Sequence, residues 1–443
     1  MANAAWTMDV PTAEAKQLVL EGAYRKVTLH LIPFVFVCYL FNYLDRVNVG
    51  FGKLQMLDAL KWSETVYGLG AGIFFVGYVL NAVPSNMLLL RFGARRVLGT
   101  LMCAWGVASI SLMFVETPGA FYTLRFLAGF FEAGFFPGIV LYFTSWFPSS
   151  RRGRIMGMFA SAVPLSGLIG SPLSGWMMHF FADKGGLAGW QWMFLLQGLP
   201  TVILGLLGYL VLNDNIGEAK WLSDEEKGLL VAELAEDEKS RREIAQTSET
   251  FLSVLRNWNV WLLAVVYFCV LMGCYAISFW LPSIIKSLGF QSVEAIGWIS
   301  VIPYFCATVY MVMIGRSADA RRERRWHLCG SMLMGVFGMI LSILSSGNPV
   351  VAVIGLSLAA SGFLAGMPMF WPLPAAFLGS AAAAGGIALL SSLGQTAGFV
   401  SPFLIGWIKD LSGSTDVALY VISGLVFAGA LLVMRVPAKV VNR

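Results

Sequence analysis

The sequence predicts an all-α membrane protein, with twelve transmembrane helices in two pseudo-symmetric six-helix bundles. Three observations carry that prediction. Hydrophobic types fill 58% of the 443 residues, while Asp, Glu, Lys and Arg supply only 12%, about half the usual globular share. Twelve apolar runs each reach the roughly 20 residues that a helix needs to cross the hydrocarbon core. Short motifs also recur at a spacing of about 230 residues. A mean hydropathy of +0.73 leaves more apolar surface than a water-soluble core can hide, so the bilayer must act as solvent. That excludes a cytosolic enzyme, a secreted disulfide scaffold and a disordered chain.

The runs lie near 27–49, 65–90, 96–115, 118–143, 154–179, 190–212, 258–285, 294–315, 326–346, 349–371, 383–408 and 415–435. They divide the chain into an N-terminal tail (1–26), a first bundle (27–212), a linker (213–257), a second bundle (258–435) and a C-terminal tail (436–443). Eleven arginines fall in the short loops of one side: Arg91, Arg95, Arg96, Arg151, Arg152, Arg154, Arg316, Arg321, Arg322, Arg324 and Arg325. The other side holds five lysines, Lys53, Lys61, Lys184, Lys286 and Lys409. The excess of basic residues predicts that both tails and the linker are cytoplasmic. The net charge of +5 therefore reads as orientation, with no nucleic-acid partner. In the linker, Ser223 and Glu226 have capping-box spacing, and Leu229, Leu230 and Leu234 share one face. An amphipathic surface helix is expected there.

Residues 1–25 lack the basic start and apolar core of a signal peptide. The six cysteines sit singly with no metal-ligand spacing, so they read as buried small hydrophobes. His30, His179 and His327 are placed at helix ends, too scattered for a metal or a proton relay. No metal and no organic cofactor is expected.

The repeat supports two halves. Arg95-Arg96 recurs as Arg324-Arg325, Ser171-Pro172 as Ser401-Pro402, and Gly175-Trp176 as Gly406-Trp407. Parallel six-helix halves characterise one large group of secondary transporters. Gly68/Gly72, Gly134/Gly138 and Gly394/Gly398 have the spacing that lets helices approach closely in lipid. No phosphate-binding loop accompanies the glycines, so no ATPase motor is visible.

The loop Arg91-Phe-Gly-Ala-Arg-Arg96 resembles the signature of the major facilitator superfamily, although Leu90 stands at its acidic position and its opening Gly is absent. The second copy, Gly315-Arg-Ser-Ala-Asp319 leading to Arg324-Arg325, is closer to pattern. Asn42-Tyr-Leu-Asp-Arg-Val-Asn48 and Arg125-Phe-Leu-Ala-Gly-Phe-Phe-Glu132-Ala-Gly-Phe-Phe-Pro137 are similar to motifs of that superfamily's anion:cation symporter family. So are Phe370-Trp-Pro-Leu-Pro374 and Gly406-Trp-Ile-Lys-Asp410. Relatives of this kind carry sugar acids, tartrate, phthalate, nicotinate or hydroxyphenylacetate.

Away from helix ends, four ionisable residues fall within the runs: Asp45, Arg46, Arg125 and Glu132. Charges at such depth are costly and default to functional candidates. Arg125 and Glu132, seven apart, share a helix face but lie about 10 Å apart along the axis. Asp45 and Arg125 are expected at similar depth, as a pair. That pairing leaves Arg46 for a substrate anion and Glu132 without a fixed cation. A carboxylate so placed in a low-dielectric cavity readily takes up a proton. Glu132 is thus the expected coupling proton site and Asp45 the second carrier. The resemblance implies the same roles and makes Arg46 and Arg125 the anion-handling arginines. A salt-bridge network serving stability alone is the rival reading, disfavoured by its desolvation cost.

Tyr43, Tyr78, Tyr267 and Tyr275 are candidate hydroxyl donors, Trp371 an aromatic wall and Gln395 an amide contact. Arg91, Gly93, Arg95, Arg96, Gly315, Asp319, Arg324 and Arg325 are expected to brace the cytoplasmic gate. Residues 258–285 hold neither Arg nor His, where organic-phosphate exchangers that the chain resembles have an arginine, so the resemblance implies a carboxylate rather than an organic phosphate. The sequence therefore predicts a monomeric bacterial inner-membrane importer, embedded in the lipid bilayer, that moves a small organic anion with protons. An aromatic or short hydroxy carboxylate is the expected substrate. An antiporter or uniporter is the nearest rival, a non-transporting sensor a distant one. No clustered nucleophile suggests an enzyme.

Overall fold

The computed structural model describes residues 13–245, 257–377 and 380–437. Most of the expected C-terminal tail, part of the N-terminal tail and linker residues 246–256 lie outside the described residues. Among those described, twelve helices are long and apolar enough to span a membrane. They are α1 (Lys16–Leu60), α2 (Glu64–Phe92), α3 (Ala94–Phe114), α4 (Pro118–Thr144), α5 (Ser149–Phe180) and α6 (Gly189–Val211) in the first half. The second half comprises α7 (Trp258–Ser287), α8 (Val293–Arg321), α9 (Arg325–Leu344), α10 (Pro349–Pro374), α11 (Leu389–Ser412) and α12 (Thr415–Val433).

Polar caps start many of these helices. Ser63, Thr117, Ser292, Asn348 and Ser414 each accept a backbone N–H from the first turn, satisfying donors that a helix start leaves open. Between the halves, a helix over Asp224–Ala245 packs on the base of the first half. Its start carries both capping-box bonds, Glu226 N–H to Ser223 Oγ at 3.2 Å and Ser223 N–H to Glu226 Oε2 at 2.9 Å. Leu230 is fully buried beneath it, while Leu229 and Leu234 are half-buried. Lys26 donates to Glu226 at 2.6 Å, and this bond holds the Glu226 carboxyl below the usual carboxylate range.

One helix departs from expectation. α1 runs from Lys16 to Leu60, about a dozen residues past the apolar run at each end. His30 therefore lies inside the helix, stacked on Trp221 at 4.3 Å. Lys53, expected in an external loop, is a buried helical residue at 4% exposure. Its Nζ sits 2.6 Å from Glu64 Oε2 and 3.5 Å from the centre of the Trp280 ring.

The halves meet along two glycine-lined seams. At α2 against α11, Gly68 faces Pro402, and a Cβ on Gly72 would lie 2.7 Å from the Phe399 carbonyl oxygen. At α5 against α8, a Cβ on Gly297 would meet the Ser171 carbonyl oxygen at 2.7 Å. Side chains any larger than hydrogen would hold these backbones apart. Gly398 packs on Phe75 across the first seam, whereas Gly134 and Gly138 serve packing inside the first half.

Polar contacts between halves gather at the face away from the linker. Asp410 of α11 accepts the backbone N–H groups of Glu64 (3.1 Å) and Thr65 (2.7 Å), capping α2 from the other half. Lys409 pairs with Glu64, Tyr67 donates to the Phe279 carbonyl at 2.8 Å, and Lys286 donates to the Leu54 carbonyl at 3.2 Å. This end of the molecule is sealed.

Candidate functional site

Four spanning helices lose their regular hydrogen-bonding pattern within their spans, among the described residues. α1 is interrupted at Asn48, α4 between Glu132 and Phe135, α5 at Ser161 and α10 at Trp371. Irregular backbone at such depth is tolerated where it is buried in protein or lines a cavity, and discontinuous helices mark transporter binding sites. Arg46, Glu132 and Trp371 lie at or beside these interruptions.

Arg46 and Glu132 form a buried ion pair joining α1 to α4. Arg46 Nε donates to Glu132 Oε1 at 2.7 Å and Nη2 donates to the same oxygen. Their side chains are 8% and 1% exposed, so water screens the pair little. The guanidinium also lies over the rings of Tyr78 (5.2 Å), Tyr43 (5.6 Å) and Phe74 (5.6 Å), a favourable setting for a cation. This corrects the expectation that Arg46 stands free and Glu132 unpaired. Glu132 has a cation, and it is Arg46.

Asp45 and Arg125 do not pair either. Asp45 Oδ2 accepts from Thr201 Oγ1 at 2.7 Å and from Trp105 Nε1 at 3.3 Å, neutral donors on α6 and α3. Arg125, 1% exposed, donates to the carbonyls of Gly70 and Arg46, each at 3.4 Å, and lies 4.7 Å over Phe74. The physical reason is rotational. Asp45 and Arg46 are adjacent, about 100° apart on the helix, and Arg46 takes the side facing α4. Asp45 is left facing α3 and α6.

On the opposite wall, Tyr267 stacks on Phe370 at 4.4 Å and meets Trp371 edge-on at 5.1 Å. Tyr275 donates to Gln395 Oε1 at 2.6 Å, and Tyr43 shares a 3.2 Å hydrogen bond with Ser278 Oγ across the halves. The first half thus contributes charge and the second an aromatic wall with one amide. Ser278 was missed by sequence reasoning, as were Thr201 and Trp105. A lone hydroxyl or indole in an apolar run carries no signal until its partner is known.

The loop residues brace helix ends. Arg95 N–H donates to Asp214 Oδ1 at 2.8 Å, and its guanidinium caps the Tyr209 carbonyl at the end of α6. Gly93 takes a φ of +86°, and a Cβ there would meet the Asp214 carboxylate at 2.6 Å. In the second half, Arg325 Nη1 donates to the carbonyls of Met434 (3.2 Å) and Val436 (3.1 Å) past the end of α12. Arg324 pairs with Asp319 at 2.8 Å. Arg91 lies 5.2 Å over Phe92, Arg96 is exposed, and Gly315 is half-buried near Met369.

Two six-helix halves, interrupted helices and a buried charged site define a solute carrier, not an enzyme. The match to known proteins agrees. Residues 35–402 match the Major Facilitator Superfamily, and the chain belongs to that family. It is 44% identical to a Pseudomonas putida protein named as a metabolite transport protein, NicT, over 96% of both chains. It is 42% identical to an Agrobacterium vitis protein named as a tartrate transporter, over 93% of both. A quinolone resistance transporter of Acinetobacter baumannii is 40% identical over 95% of this chain and 96% of its own. The crystal structure of a D-xylose–proton symporter shares the fold, with a TM-score of 0.73 and 15% identity over 94% of this chain and 99% of that one. The protein is a multi-pass membrane secondary transporter of this superfamily.

Proposed function

We propose that the protein imports a small organic carboxylate together with protons, by alternating access, as an anion:cation symporter. The observation that carries this reading is the Arg46–Glu132 pair. One guanidinium can serve the Glu132 carboxylate or a substrate carboxylate, and both anions together would repel. A proton on Glu132 ends its claim on Arg46 and leaves the fork for the incoming anion. Substrate binding and protonation then favour each other, which is the thermodynamic content of symport. Arg125 holds the field positive from its buried position, and Asp45, bonded only to neutral donors, is a second proton carrier. Tyr43, Tyr78, Tyr267, Trp371 and Gln395 enclose the body of the substrate, an aromatic or short hydroxy acid. No organic cofactor takes part; the proton is the coupling ion. With the linker and both termini cytoplasmic, the sealed end faces outward in a bacterial inner membrane, and the monomer suffices.

The test is uptake of labelled tartrate, nicotinate, phthalate and hydroxyphenylacetate into proteoliposomes under an inward proton gradient. Accumulation of one acid that collapses with protonophore is the expected result. Uptake indifferent to the gradient would overturn proton symport. The relative named for quinolone resistance favours one second reading, proton-driven efflux. Accumulation of a quinolone, and of no acid, in inverted vesicles would select it.

A further inference from the structure

A small cavity of mixed lining lies where α1, α5, α7 and α8 meet, with a volume of about 10 Å³, about one water's worth. Asn48, Ser171, Ser174 and Ser278 are among its lining residues. Asn48 is 1% exposed, and neither its amide nitrogen nor its amide oxygen has a hydrogen-bond partner within the protein. Gln197 Oε1 and Asp45 Oδ1 are buried and unpartnered in the same way.

These atoms form a row. Ser174 Oγ accepts from Gln197 Nε2 at 2.8 Å. Gln197 lies one turn from Thr201 on α6, and Thr201 donates to Asp45 Oδ2 at 2.7 Å. Asn48 lies about one turn beyond Asp45 on α1. Since α1 and α5 run toward the sealed end and α6 runs away from it, Asn48, Ser174 and Gln197 are all displaced from Asp45 toward that end. Buried polar atoms left unmatched are costly, and ordered water is how native interiors satisfy them.

We propose that this row is a hydrated proton path from the seam between the halves to Asp45, separate from the Arg46–Glu132 pair. The proposal rests on the proton-symport reading above. Water held by Asn48, Ser174 and Gln197 passes the proton, and Asp45 Oδ1 receives it, because Oδ2 already accepts two hydrogen bonds. The supplying solvent is that of the sealed end, reached when the halves part there. The charged groups acting on Asp45 are Glu132 and Arg125 on α4, and its chain neighbour Arg46 is the other buried charge on α1 nearby. α3 and α6 present the neutral donors Trp105 and Thr201, and α5 presents serines.

The experiment is infrared spectroscopy of the full-length protein in proteoliposomes. The protonated Asp45 carboxyl band, assigned by its loss in Asp45→Asn, is followed during exchange into heavy water. Gln197→Leu and Ser174→Val should slow that exchange by roughly a hundredfold, the low edge of what one proton-transfer group contributes. Ser174→Thr, which keeps the hydroxyl, should restore it. Asn48→Val interrupts the row from α1 and serves if Gln197→Leu fails to fold. Unchanged exchange in the folded variants would overturn the path alone. No Asp45-dependent band from neutral to acid pH would overturn Asp45 as a carrier and the path that leads to it, whereas the symport reading beneath stands or falls with gradient-driven uptake and Glu132.

Discussion

Asp410 at the end of α11 caps α2 from across the halves, so its removal should open the sealed end. In Asp410→Ala, the two backbone N–H groups of Glu64 and Thr65 lose their acceptor. Hydrogen bonds to a charged group contribute about 1.5–3 kcal/mol each when protected from water. Asp410 is solvent-exposed, which brings the pair down to about 1–2 kcal/mol in total. These bonds exist only while the end is closed, so the whole loss falls on one conformer. About 1–2 kcal/mol moves a two-state population by about 5- to 30-fold. The assay is a spin-label distance measurement between Ala59→Cys and Val417→Cys, in a background lacking the native cysteines. The distribution should gain a longer component in Asp410→Ala. A folded variant with an unchanged distribution would refute the role of this contact as a latch.

Three further outcomes are expected. Gly93→Ala combines a positive φ with a clash against Asp214 and should cost about 1–3 kcal/mol, read as a lower melting temperature in detergent. Arg46→Lys keeps the charge but not the planar fork, so transport should fall at least about tenfold with thermal stability nearly kept; full activity would argue against carboxylate recognition there. Because the Lys26 bond lowers the Glu226 pKa, its contribution to linker docking is present above the ordinary carboxylate pKa and lost as pH falls through the lowered value. Hydrogen exchange over 224–234 should therefore quicken, relative to its intrinsic rate, on acidification. A linker equally protected at low pH would contradict the assignment.

How much of this was legible in the sequence depends on range. The twelve spans rest on local hydropathy, and the four deep charges announced themselves by their cost. Partner choice did not. Arg46 and Glu132 lie far apart in the chain, and the rotation of α1 that turns Arg46 rather than Asp45 toward α4 is set by packing against α5 and α6. Reasoning on depth alone matched Asp45 with Arg125, because it treats a helix as a rod without faces toward particular neighbours. Lys53 was misplaced for another reason. Lys53, Gln55 and Asp58 interrupt the apolar pattern of 49–60, yet Glu64, Trp280 and Tyr67 supply a setting in which the buried ammonium is paired. Asp214 and Asp410 were passed over because an acidic residue at a helix end reads as solvated until the N–H groups that it caps are seen.

The central claim is that Glu132 exchanges its hold on Arg46 for a proton when substrate binds. Glu132→Gln keeps an acceptor for Arg46 Nε and mimics the protonated carboxyl, so the fold should survive. The deciding measurement compares, for this variant in proteoliposomes, gradient-driven accumulation with exchange of labelled for unlabelled tartrate, or whichever acid the uptake panel selects. Lost accumulation with retained exchange is the expected result. Accumulation at the wild-type level would contradict proton coupling at Glu132 and return the buried pair to a purely structural role.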